Sequence, residues 1–146
     1  MNMHMNSIQA GEPPVSERAI SCLVDRPKLK TMSMADVRDL REGVETTAEI
    51  LCGLQCQPRY WNDDMTHTPA GEILSDILEF LNAYRDACVQ VARAAEPTEH
   101  DEIEARAWAL IRTETEYKDD ILGLVALVNT EAGKVIESKR KQGARR

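Results

Sequence analysis

The residues with the most chemical potential in this chain are carboxylates. Glu99-His100-Asp101-Glu102 and Glu116-Tyr117-Lys118-Asp119 each place two acids three residues apart, so on a helix each pair shares one face. Oxygen ligands in that arrangement suit magnesium, whose coordination shell a substrate phosphate could complete. Cys52 and Cys56 also share a helix face, and with His67 across a loop they offer three zinc ligands; a fourth would come from Asp63 or Asp64. Cysteine is equally a common core residue without any metal. A third cluster, Arg59-Tyr60-Trp61, joins the residue types most enriched at binding hot spots, in a chain with one Phe, three Tyr and two Trp. It reads as a partner-binding site, or as an aromatic plug closing one end of the fold.

The order and separation of the two acidic motifs resemble the signature of the all-α nucleotide pyrophosphohydrolases of the MazG type. The resemblance covers about 21 residues and implies carboxylates on two antiparallel helices holding magnesium against a nucleoside triphosphate. It therefore requires a turn between Glu102 and Glu116. The intervening stretch Ile103 to Thr115 has no Gly, Pro or Asn and reads as continuous helix, which would leave those two acids about 21 Å apart along one axis. No glycine-rich phosphate loop and no local nucleophile signature appears among the four Cys and three His.

The elements that must position these groups are helices. Val37, Leu40, Val44, Ala48 and Leu51 recur at steps of three and four behind a Ser33 N-cap, predicting a helix over 33–54. Pro58 and Asn62-Asp63-Asp64 predict a loop over 55–68, long for a helix–helix connection. Thr68-Pro69 opens a second helix over 69–95, with Ile73, Ile77, Phe80, Leu81, Tyr84, Ala87, Cys88 and Val91 on its apolar side; Pro97 stops it. A third stripe runs Ile103, Ala107, Leu110, Glu114, Tyr117, Ile121, Leu124, Val128, Ala132 and Val135, predicting one long helix over 98–140. A kink is expected near 113–120, where Asp119 or Asp120 could cap a fresh start before Ile121. Glu114, inside that stripe, calls for a cationic partner such as Arg85 or Arg106. Residues 1–32, with Gly11, Pro13, Pro14 and Pro27, read as an N-terminal tail holding at most a short helix over 15–24. The fold class is thus all-α, an antiparallel bundle of about three long helices over 33–140, with a basic tail at 141–146.

Composition narrows the function classes. The chain has 146 residues, 42% of them hydrophobic, enough for one aliphatic core. Its net charge is −7, although Lys134, Lys139, Arg140, Lys141, Arg145 and Arg146 face only Glu137 within the last thirteen residues. An acidic body disfavours general nucleic-acid binding, which leaves the basic end as the one place for such contact. Residues 1–15 lack a secretory h-region and no stretch is apolar enough to span a bilayer, so a cytoplasmic protein with reduced thiols is expected. Taken together, these features predict a non-enzymatic helical protein that binds another protein through Arg59, Tyr60 and Trp61. A homodimer is a simple cover for apolar surface left over by helices of unequal length. No cofactor, metal or membrane is expected.

Overall fold

The computed structural model describes residues 22–117 and 120–144. Among them the regular structure is helical: α1 (Arg26–Thr31), α2 (Met34–Gln55), a 3-10 turn (Pro58–Tyr60), α3 (Pro69–Ala94), α4 (His100–Tyr117) and α5 (Ile121–Gly143). The starts follow the capping chemistry read from the sequence. The Ser33 hydroxyl accepts from Asp36 N–H, and Thr68 accepts from Gly71 N–H one residue ahead of Pro69.

Two expectations need correction. The predicted third helix is two helices. Asp120 takes an extended backbone conformation and its carboxylate accepts from Leu122 N–H, so the cap that could have produced a kink starts a new helix instead. That helix folds back on α4: His100 meets Ser138, and Arg106 meets Glu131. Nor is the segment before Ser33 all tail. Residues 22–24 are turn and bend rather than helix, and a helix forms after them, capped by Asp25 with Pro27 in its first turn, where a missing N–H costs nothing. Val24 and Leu29 are buried against α3, and Arg26 donates to Gln90 at 2.7 Å. Residues 1–21 of the expected tail, the side chains of Glu114, Glu116 and Tyr117, and Lys118, Asp119, Arg145 and Arg146 lie outside the described residues. Helix α5 continues to Gly143, so Lys141 and Gln142 are helical.

The helices alternate in direction. Helices α2 and α3 form an antiparallel hairpin. Helix α4 runs parallel to α2, since Met34 N–H donates to Glu102 at 2.6 Å and Arg41 Nε to Thr113 at 3.0 Å. Helix α5 descends along α4, its one extended neighbour among the described residues. The close approach of α4 to its neighbours rests on small side chains: Ala105, Ala109 and Leu110 are buried against Ala87, Cys88, Val89 and Ala92 of α3, and Ala107 is buried as well. Burial pushes the Cys88 thiol up to about 11, against the pull of nearby Arg41, so it stays protonated at neutral pH.

Charge is buried in the same interfaces. Arg41, 1% exposed, pairs bidentately with Glu45 one turn on (3.1 and 3.2 Å) and reaches Thr113 of α4. Arg112 of α4 closes on Glu45 at 3.3 Å and on Glu42 at 3.0 Å. Removing one member of a buried pair strands the other. Arg41→Ala is therefore expected to lower unfolding free energy by about 3–5 kcal/mol, whereas Arg41→Met combined with Glu45→Leu should recover most of that loss, as read by urea denaturation.

Candidate functional site

Three places could carry function: the α2–α3 loop, a cleft at the opposite end of α4, and the outer face of α5.

The loop is ordered by its own polar groups. Trp61 and His67 form an isolated antiparallel bridge, with their rings edge to face at 4.2 Å. The Trp61 indole N–H donates to Gln55 O at 2.8 Å, tying the loop to the last turn of α2. Asn62 spans the turn, its backbone N–H donating to Thr66 O and its amide to Thr66 Oγ1 and His67 O. Hydrogen bonds from the Thr66 hydroxyl and backbone hold the Asp64 carboxyl below its ordinary value. Of the predicted partner-binding residues, Trp61 is half-buried and serves the loop's own structure. Tyr60 is half-buried, and the exposed Arg59 guanidinium lies 4.9 Å from the centre of its ring. At the tip, Met65 adopts a left-handed backbone (φ 64°) with 76% of its surface exposed. The loop is pressed onto α3 at Gly71, where an added Cβ would sit 2.5 Å from the Tyr60 carbonyl oxygen and 3.2 Å from His67 Cβ.

This end of the hairpin is also where apolar side chains are left in solvent. Beyond the level where Arg41 meets Thr113, α2 runs on to Gln55 while α4 stops at Tyr117, so the hairpin overhangs α4 by about 15 Å. Ile50 (60% exposed), Leu54 (37%), Ile73 (62%) and Ile77 (42%) lie on the overhang. The sequence places Ile73 and Ile77 on the apolar side of the second helix; the period is right, but α4 ends too soon to cover them.

The cleft, about 870 Å³, lies between the α3–α4 connection and the C-terminal half of α5. His100 Nδ1 and Ser138 Oγ are 2.8 Å apart on its wall, and Glu104 stands 3.9 Å from His100 Nε2. The constellation has the members of a hydrolytic triad, but Val135 O, 2.8 Å from the Ser138 hydroxyl, competes with His100 for its hydrogen. The cations are engaged. Arg106 caps α3 through Ala92 O and Ala95 O and pairs with the 2%-exposed Glu131, which also takes Lys134 at 2.8 Å; Lys141 pairs with Glu137. Of these contacts, Arg106–Glu131 and His100–Ser138 fasten α5 to α4.

The acidic motifs lack the turn they require; Asp119 and the side chain of Glu116 lie outside the described residues. No turn separates Glu102 from Glu116; both belong to α4, and Glu102 is occupied at the N-terminus of α2. Cys52 and Cys56 are exposed, while His67 packs on Trp61 with its Nε2 3.5 Å from the Gln55 amide. Among the described residues no three His, Cys, Asp or Glu side chains are gathered as a metal would require, and no helix is long and apolar enough to cross a membrane. Comparisons with protein-family models, with curated proteins and with solved structures found no match.

Two outcomes are expected. Gly71→Ala forces the Tyr60 carbonyl away and should destabilise the fold by about 1–3 kcal/mol, with increased amide exchange over residues 58–68. For Glu131, burial opposes the charge, but hydrogen bonds from Lys134 and Arg106 outweigh it and hold the carboxyl below its ordinary value. Its contribution is complete above the unfolded carboxylate pKa of about 4.3 and is lost as pH falls through the lower folded value. Chemical denaturation between pH 7 and 3 should therefore show a stability loss that Glu131→Gln makes shallower, from a lower starting point.

Proposed function

We propose that this is a non-enzymatic, helical protein-binding protein whose partner docks on the overhanging end of the α2–α3 hairpin. The observation that carries the reading is the exposure of Ile50, Leu54, Ile73 and Ile77 where α4 stops short. Each is a large aliphatic side chain whose burial against a partner would contribute on the order of 1–2 kcal/mol. The adjoining loop supplies complementary chemistry. Arg59 and Tyr60 form a cation–aromatic pair at its surface, and an exposed Met65 offers an adaptable apolar contact on a backbone that costs roughly 1 kcal/mol to hold. Nothing in the folding of the isolated chain rewards a methionine there, and strained exposed residues cluster at binding sites. Trp61 serves this surface indirectly by fixing the loop through Gln55 and His67. The hydrolase alternative has no such support, because Glu102 and Glu116 belong to one uninterrupted helix, α4, and the turn it requires between them is absent.

A photo-crosslinking residue placed at Ile73 or Met65 in producing cells should yield a discrete protein adduct. The same residue at Glu79, an exposed polar position on α3, should not, and Arg59→Ala should reduce the adduct several-fold. No adduct from either hairpin-end position, or equal adducts from Glu79, would overturn the proposal.

A further inference from the structure

Helix α5 has two apolar faces and uses one. Leu124, Leu127, Val128, Glu131, Val135 and Ser138 are buried or half-buried, the face turned to α4. Roughly a third of a turn away, Leu122 (80% exposed), Val125 (50%), Asn129, Ala132 and Ile136 (54%) form a second stripe, all exposed. Their steps are three, four, three and four residues, the repeat of a helix–helix seam, with a single Asn at its middle. That angle suits a helix meeting two neighbours in a bundle, and α5 has an extended contact with one.

We propose that the stripe is covered by α5 of a second copy of this chain, packed antiparallel about a two-fold axis near residues 130 and 131. This goes beyond the protein-binding reading at the hairpin end, because it concerns a different face of the molecule. In this register Val125 lies opposite Ile136 of the second copy, and Leu122 lies under the aliphatic stem of its Lys139. Asn129 lies opposite Ala132, which places the two Asn129 side chains about 4.5 Å apart along the axis, within reach of an amide–amide hydrogen bond. Ala126, Ala132 and Gly133 around the axis leave room for close approach. Charge selects the direction. The stripe ends in exposed Lys139 and Arg140, and at its other end stands the exposed Asp120. A parallel pair would set the cations of one copy against those of the other; an antiparallel pair sets them beside Asp120 and opposes the helix dipoles favourably. The pairing is isologous and closes at two copies.

The purified full chain is used for the test, so that dimerisation is read separately from adducts at the hairpin end. Sedimentation equilibrium should show reversible monomer–dimer exchange with Kd on the order of micromolar, as a single helix-pair seam is a small interface. Ile136→Glu should weaken it at least tenfold while leaving the helical circular-dichroism signal unchanged, because Ile136 is exposed in the isolated fold. In a background with Cys22, Cys52 and Cys56 replaced by Ser, a mixture of Val125→Cys and Ile136→Cys chains should oxidise to the mixed disulfide dimer. Leu122→Cys alone should form no dimer of its own. A monomer at about 100 µM, well above that Kd, would overturn the proposal, as would self-linking by Leu122→Cys without the mixed product.

Discussion

Arg106 is the residue on which the arrangement of the last third of the molecule turns. Its guanidinium caps the end of α3, filling carbonyl acceptors that a proline-terminated helix leaves open, and pairs with a nearly fully buried Glu131 on α5. A buried carboxylate is tolerated only with partners in place, and Lys134 supplies the second. The three charges therefore make sense only when α3, α4 and α5 are docked together. The Arg41–Glu45–Arg112 system does the same for α2 and α4. Between these two clamps the interface is mostly alanine, which contributes little burial per residue but lets backbones come close. Charged pairs then decide which helix lies against which, where alanine alone would permit sliding.

Exposed apolar surface follows from where that clamping stops. Helix α4 is the shortest of the four long helices, and both ion-pair systems lie along it, so whatever extends past it is uncovered. The α2–α3 hairpin extends past it at the loop end. Helix α5 lies on its far side with one flank free. The exposed hairpin end is a consequence of that length mismatch, whereas the free flank of α5 follows from its having one extended neighbour among the described residues.

Much of the architecture could be read from side-chain order. Ser33, Thr68-Pro69 and Pro97 placed helix boundaries to within about two residues, since caps and proline act locally. The Arg59-Tyr60-Trp61 cluster falls in the connection between α2 and α3, but sequence does not tell its three members apart: Trp61 folds inward because Gln55 O and His67 lie within its reach, a fact of the closed loop. Arg41 sits between Val37 and Val44 on an apolar stripe, and that spacing could have marked it as buried. Ser138 and His100 are separated by 38 residues and share no local pattern.

Composition, periodicity and capping chemistry determined that the chain is helical, roughly where its helices begin, and that Asp120 could begin another. These are short-range properties, each settled within a turn or two of backbone. Only the tertiary structure decided that α5 reverses onto α4 rather than continuing it, because a regular three-and-four pattern is the same on both sides of a turn. Only it decided that Ile73, Ile77, Leu122 and Ile136 stay in water, because the cover available to an apolar stripe depends on the length and position of helices remote in sequence.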